Sequence, residues 1–150
     1  MCLGTAVSEE RKKQIIKSLT KKGFVKVYKV AQKDGDNFCS PMWDSTIYQR
    51  NTIQNSSYVF YKETDSGWHG FLTYEGARRY KSGNEVILIC YVKPEWIIEI
   101  GETEFFKLRC NKNVAKHLTV RTSKIFFPDF PNRRASIKEF RKALKETDDE

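Results

Sequence analysis

The 150-residue chain has no apolar run near 20 residues, so it contains no candidate for a membrane-spanning helix. Its first seven residues include no basic region and are too short for a secretory signal. The chain has only two histidines, and its four cysteines show no spacing typical of a metal knuckle or a disulfide framework. We therefore expect free thiols, no metal or other cofactor, no membrane contact, and an intracellular location, either cytoplasmic or nuclear.

The residues that are present indicate a folded protein. Hydrophobic residues make up 39% of the chain and aromatic residues 13%, which is more than a disordered chain of this charge would carry. The length is typical of one domain and is sufficient to bury a core. No internal repeat or low-complexity linker divides the sequence, so a single domain over residues 1–150 is predicted.

Three helices are predicted from local signals. Ser8 is suited to an N-cap, and the apolar spacing after it predicts a helix over residues 9–22 that Gly23 would terminate. Thr73 is suited to the N-cap of a short central helix ending near Gly83. Ser136 and a glutamate three residues later form a capping-box pattern before a helix over residues 137–147.

The strands are predicted from β-branched, aromatic and apolar content. The most apolar is residues 85–92, which suits a central position in a sheet. Other predicted strands are residues 24–31, 58–62, 96–100, 104–110 and 117–121. Since Phe126 and Phe127 cannot both point to the same side of a regular strand, one of them is expected to be exposed. Long β-α-β crossovers are missing, which favours an α+β fold with a mostly antiparallel sheet and N-terminal, central and C-terminal helices.

Positive charge is concentrated at two ends of the chain. The net charge is +8, but residues 1–33 carry nine Lys and Arg against two acids, and residues 106–145 carry twelve against two. Residues 34–105 are net acidic, and the last five residues carry four acids. Like charge at such density repels itself, and an anionic partner would remove that cost. The distribution therefore favours binding to nucleic acid.

The candidate contact residues come from both basic ends. Those in the N-terminal helix are Lys12, Lys13, Lys17, Lys21 and Lys22. Those in the C-terminal half are Lys107, Arg109, Lys112, Lys116, Arg121, Lys124, Arg133 and Arg134. No signature of a sequence-reading domain accompanies them, so the predicted binding depends little on base sequence. A solvated surface without a partner is the alternative interpretation of the same charges.

A second candidate site surrounds one of the two histidines. His69 precedes the short central helix, which carries Arg78, Arg79 and Tyr80. A phosphorylated or nucleotide-like ligand could be held by such a group of side chains, with or without catalysis. A purely structural role for these residues is the competing interpretation.

The same region carries a resemblance. Gly70-Phe71-Leu72-Thr73, then Ala77 and Tyr80, then the apolar strand from Glu85 and the segment Lys93-Pro94-Glu95-Trp96 form a pattern over roughly residues 68–120. It resembles small uncharacterised proteins of viruses and mobile genetic elements. The resemblance implies a shared core and a viral or mobile-element origin, and it transfers no catalytic residue.

Enzyme signatures are weak. The scattered cysteines and histidines include no H-x-x-x-H, C-x-x-C or H-x-E spacing, although a Cys–His pair could form in the folded chain. The strand Val27-Tyr28-Lys29-Val30 resembles the first strand of ADP-ribosyltransferases, but Lys29 stands where Arg or His is expected. The leading hypothesis is therefore a non-enzymatic protein that binds nucleic acid or a nucleoprotein complex. A small-ligand pocket and an inhibitor of a host protein are the alternatives, and the oligomeric state is not predicted.

Overall fold

The structure is a computed structural model that describes residues 5–40, 47–55, 67–104 and 116–148. The helices in these ranges are α1 (Glu9–Leu19), α2 (Tyr74–Tyr80) and α3 (Ile137–Asp148). The strands are β1 (Thr5–Ala6), β2 (Val25–Asp34), β3 (Asn37–Cys39), β4 (Ile53–Asn55), β5 (Trp68–Phe71), β6 (Val86–Val92), β7 (Ile97–Glu104), β8 (Lys116–Thr122) and β9 (Lys124–Phe126). A 3-10 turn, Pro94–Trp96, lies between β6 and β7.

The nine strands form one sheet. Its order is β1-β7-β8-β5-β2-β6-β9-β4, and β3 forms a hairpin with β2 outside this path. The named strands pair antiparallel, with β2 against β6 from Val25↔Val92 to Ala31↔Val86. This confirms the predicted α+β class with a mostly antiparallel sheet and N-terminal, central and C-terminal helices.

One face of the sheet packs against α1 and is called the α1 face. Val27, Cys90 and Val120 belong to the core on this side, and Ile16 and Leu19 of α1 pack against that core. Two side chains of α1 contact β7 and hold the helix in place. The Arg11 guanidinium lies 3.0 Å from the Glu102 carboxylate, and the ammonium group of Lys12 donates a hydrogen bond of 2.8 Å to the carbonyl oxygen of Ile98.

The opposite face of the sheet packs against α2 and α3 and is called the α3 face. Successive residues of a strand point to opposite faces, so Tyr91 lies on the α3 face while Cys90 and Val92 lie on the α1 face. Tyr91 and Phe126 pack with Phe140 of α3, and Val30 and Phe71 pack with Ala77 of α2. Helices α1 and α3 therefore lie on opposite sides of the sheet.

The sheet is strongly curved. The indole nitrogen of Trp68 in β5 donates a hydrogen bond of 3.0 Å to the carbonyl oxygen of Gln54 in β4, four places away in the strand order. Tyr48 and Phe127 stack at 4.5 Å between ring centroids, and Trp68 packs edge-on against both. Accumulated strand twist thus encloses an aromatic core on the α1 face.

The first helix is shorter than predicted. Ser8 is the N-cap as expected, accepting a hydrogen bond of 3.2 Å from the backbone N–H of Arg11. The helix ends at Leu19, with Thr20 as C-cap, and Gly23 belongs to a separate turn before β2. The short central helix begins after Thr73 as predicted and ends at Tyr80, with Lys81 as C-cap, before Gly83.

The expectation that Phe126 or Phe127 is exposed is wrong. Both are 0% exposed, because Phe126 packs under α3 while Phe127 joins the core of the α1 face. Strands β5 and β9 were not predicted. The strand predicted over residues 58–62 lies outside the described residues. Of the strand predicted over residues 104–110, the structure describes only Glu104, which is the last residue of β7.

Candidate nucleic-acid interface

Helix α3 is anchored to the sheet by Phe140. This side chain is 0% exposed, and its ring centroid lies 5.1 to 5.7 Å from those of Phe126, Phe24 and Tyr91. Trp96 closes the cluster with a ring centroid at 6.0 Å. Because one side of α3 is fixed in this way, the direction of its remaining side chains is fixed as well.

Four basic side chains form a stripe along the outer side of α3. We call Lys138, Arg141, Lys142 and Lys145 the α3 basic stripe. Their spacing of three, four and seven residues places them on one helical face, and all four are exposed. Within the described part of the chain, no Asp or Glu oxygen lies within 4.0 Å of any of them.

Sequence reasoning missed this stripe as a site. The predicted contact residues stopped at Arg134, although the same periodicity that placed Phe140 and Leu144 inward places the four basic residues outward. Glu139 and Glu146 lie together on one flank of the stripe. The Glu139 carboxylate accepts a hydrogen bond of 3.3 Å from the side-chain amide of Asn51, which ties that flank to the loop before β4.

A tight turn brings two of the predicted lysines next to α3. Lys21 and Phe24 exchange backbone hydrogen bonds of 2.9 and 3.2 Å around Lys22 and Gly23. The φ angles of +57° at Lys22 and +90° at Gly23 are typical of a two-residue hairpin loop. Glycine adopts such positive φ angles without strain. Phe24 lies 5.6 Å from Phe140 between ring centroids, so exposed Lys21 and Lys22 lie close to the α3 anchor. We call the segment from Lys21 to Phe24 the α1–β2 turn.

The other predicted residues of the N-terminal helix lie across the sheet. Lys13 and Lys17 are exposed on α1, which packs on the α1 face. The side chain of Lys12 is only 18% exposed and is engaged by Ile98 and, at 3.7 Å, by the Glu9 carboxylate. The structure therefore separates the predicted N-terminal set, and only the α1–β2 turn comes next to α3.

The predicted C-terminal residues are also separated. Lys107, Arg109 and Lys112 lie outside the described residues, as does the side chain of Lys116, the first residue of β8. Arg133 and Arg134 are exposed just before α3. Two backbone hydrogen bonds hold this segment, one of 2.7 Å from Ile89 N–H to Arg133 and one of 2.9 Å from Ala135 N–H to Ile89. The Lys124 ammonium lies 5.8 Å from the centre of the Trp96 ring.

Arg121 is not available to a partner on the surface. It is 8% exposed, and its guanidinium lies 2.9 Å from the carboxylate of Glu99 on the neighbouring strand. His69 is its cross-strand neighbour on the other side, in register on β5. A buried cation is costly unless a negative charge compensates it, so the pairing of β7 with β8 accounts for this arginine.

The residues predicted to bind a phosphorylated ligand do not present unpaired positive charge among the described residues. Both Arg78 and Arg79 contact the Glu75 carboxylate, Arg79 at 3.4 Å. The hydrogen bond from Arg78 is the main cause that lowers the pKa of Glu75 to about 2. Tyr80 packs on Phe71, with ring centroids 5.4 Å apart, and so has a packing role.

The surroundings of His117 predict a pH-dependent stability. Burial lowers the pKa of His117 below 6.5, and the Arg79 guanidinium lowers it further, although Glu75 opposes this. Because its pKa is lower in the folded than in the unfolded chain, the unfolded chain binds more protons at mildly acidic pH, and stability is lost as the pH falls through this range.

We expect the free energy of unfolding to decrease from about pH 8 to about pH 5 more steeply in the native protein than in His117→Gln. Urea denaturation across this range measures the difference. Identical pH profiles of the two proteins would show that His117 titrates as it does in the unfolded chain.

The described cysteines lie in the core. Cys39 and Cys90 are buried thiols, and burial raises the pKa of the Cys90 thiol to about 12. In the described ranges no three His, Cys, Asp or Glu side chains are grouped to hold a metal ion. Among the described helices, none is long and apolar enough to cross a membrane.

Comparison with protein-family models, with curated proteins and with solved structures finds no match for this chain.

Proposed function

We propose that this protein is a non-enzymatic nucleic-acid-binding protein that contacts phosphates through a surface centred on the α3 basic stripe. The α1–β2 turn, Arg133 and Arg134 extend this surface. The binding takes place inside the cell, in the cytoplasm or the nucleus, on nucleic acid alone or in a nucleoprotein complex.

The observation that carries the proposal is the row of four exposed cations, none of which lies within 4.0 Å of an Asp or Glu oxygen of the described residues. Four cations lie within about 10 Å along one helical face, as the rise of 1.5 Å per residue requires. Like charges at such spacing destabilise a helix by a few tenths of a kcal/mol per pair. Phosphates bound along the stripe would remove this repulsion and release counterions, which is the main source of affinity in non-specific binding.

The packing of α3 supports the same proposal. A stripe on a mobile helix would lose much of its affinity to the cost of ordering, whereas Phe140 fixes α3 through four aromatic neighbours. Ser136 caps the helix, accepting a hydrogen bond of 3.3 Å from the backbone N–H of Glu139. The backbone positions of the four basic residues are therefore set before any partner binds.

The test compares two triple variants that remove the same charge. Arg141→Gln/Lys142→Gln/Lys145→Gln disrupts the stripe, and glutamine keeps a similar helix propensity. The slope of log K against log salt is negative, and we expect this variant to reduce its magnitude by about 3 units. We also expect binding to weaken by tenfold or more at about 0.1 M salt. Fluorescence anisotropy with labelled DNA and RNA measures both quantities.

The matched control is Lys13→Gln/Lys17→Gln/Lys33→Gln, in which three exposed lysines away from α3 are neutralised. We expect it to retain nearly the native slope. Equal losses in the two variants would show that binding depends on overall charge and not on α3. Absence of any binding by the native protein at about 50 mM salt would refute the proposed function. Capture of a host protein that survives nuclease treatment, without nucleic-acid binding, would favour the inhibitor alternative.

A further inference from the structure

We infer that the partner of the α3 basic stripe is double-stranded nucleic acid, bound through its phosphate backbones in preference to single strands. This inference rests on the proposed function and specifies its ligand. It depends on three features of the α3 side of the molecule: the burial of its described aromatic rings, the anchoring of the helix that carries the cations, and the presence of further cations nearby.

The aromatic rings that the structure describes around α3 are not available to unpaired bases. Proteins that bind single strands gain about 1–3 kcal/mol per base by stacking bases on exposed rings. Here Phe24, Tyr91, Phe126 and Phe140 are between 0% and 6% exposed and pack against one another. The half-buried Trp96 ring lies against Phe140 and has the Lys124 ammonium over it. Among the described residues, the surface near α3 therefore offers bases little to stack on.

Exposed Tyr74 does not change this conclusion. It is 53% exposed, but it lies on α2 and packs edge-on against Tyr28, with ring centroids 6.0 Å apart. Tyr28 belongs with Val30 and Phe71 to the cluster under α2, which is distinct from the cluster under α3. A strand bound along the stripe would not use this ring.

The remaining source of affinity is phosphate contact, and a duplex offers more of it. Duplex DNA carries one charge per about 1.7 Å of its axis, and each neutralised phosphate contributes about 0.9 to the salt slope, against about 0.7 on a single strand. The duplex is also stiff, so a fixed row of cations meets phosphates that need no ordering. A flexible single strand would lose conformational freedom on binding without gaining stacking in return.

Two further pairs of cations near α3 enlarge the footprint. The α1–β2 turn is held beside α3 by the contact between Phe24 and Phe140. Arg133 and Arg134 are held at the start of the helix by the backbone hydrogen bonds to Ile89. Six to eight cations would then be available to the duplex, which corresponds to a salt slope of about −5 to −7.

The experiment uses the full chain with a labelled duplex of about three helical turns, in DNA and RNA forms, and with each separated strand at the same length. Anisotropy titrations are made between about 50 and 200 mM salt. We expect at least one duplex to bind on the order of tenfold more tightly than its strands, with the predicted slope and little dependence on base sequence. Strands that bind as tightly as both duplexes would overturn this inference and leave the proposed function intact. Binding to none of these nucleic acids would overturn both.

A variant of the α1–β2 turn tests the footprint itself. Lys21→Gln/Lys22→Asn removes two charges, and asparagine is chosen because it accepts the positive φ of residue 22. We expect the duplex slope to decrease by about 2 units. An unchanged slope, in a variant whose thermal unfolding is native, would remove the turn from the footprint and contradict the extended surface.

Discussion

Replacing Phe140 by alanine is expected to lower the free energy of unfolding by about 3–5 kcal/mol, the usual cost of removing a fully buried phenylalanine. The ring is 0% exposed and contacts four other aromatic residues, so its loss leaves a cavity between α3 and the sheet. Urea denaturation followed by circular dichroism measures the change. A marginal domain has only about 5–15 kcal/mol in total, so the variant will be close to its limit of stability.

The matched control is Tyr74→Ala, which removes an aromatic ring that is 53% exposed. We expect it to cost less than about 1 kcal/mol, as surface substitutions usually do. If Phe140→Ala cost no more than this control, α3 would not be docked on the sheet. The fixed position of the α3 basic stripe would then be wrong as well.

Substituting Glu99 by glutamine is expected to destabilise the protein by about 2–3 kcal/mol. The substitution removes the negative charge that the Arg121 guanidinium contacts, while Arg121 itself is only 8% exposed. Breaking a fully buried pair costs about 3–5 kcal/mol, but the Glu99 side chain is 34% exposed and water screens part of the effect. Chemical denaturation at neutral pH measures the change.

The ion pair between Glu102 of β7 and Arg11 of α1 provides the control. Glu102 contacts Arg11 at 3.0 Å, but the Arg11 side chain is 56% exposed, so Glu102→Gln should cost less than about 1 kcal/mol. The double variant Glu99→Gln/Arg121→Met should recover much of the stability lost in Glu99→Gln, because no buried charge then remains. If Glu99→Gln and Glu102→Gln destabilised the protein equally, Arg121 would be well solvated and could still contact a partner.

Local sequence signals were sufficient to locate the three helices and the most apolar strand, β6. The capping pattern at Ser136 and the inward spacing of Phe140 and Leu144 predicted residues 137–147, and α3 is Ile137–Asp148. These signals act between residues a few positions apart, so they need no knowledge of the fold. The end of α1 was misjudged because Gly23 serves a hairpin turn, and sequence alone does not distinguish this from a helix C-cap.

Short strands were harder, because their pairing partners are distant in sequence. Strand β5 has four residues and lies between β2 and β8, which are separated by about 80 residues of chain. Strand β9 has three residues and lies between β6 and β4. Nothing within either segment specifies these neighbours. The burial of both Phe126 and Phe127 was missed for the same reason, since it requires that both faces of the sheet are covered.

The sequence by itself determined the uneven distribution of charge along the chain, the α+β class and the amphipathic helices. Only the tertiary structure decided which basic residues share a side of the molecule. Strand alternation places α1 and α3 on opposite faces, register places Arg121 beside Glu99, and the α1–β2 turn brings Lys21 and Lys22 next to α3. Charge is a property of single residues, whereas a surface depends on contacts between segments far apart in the chain, which sequence patterns do not specify.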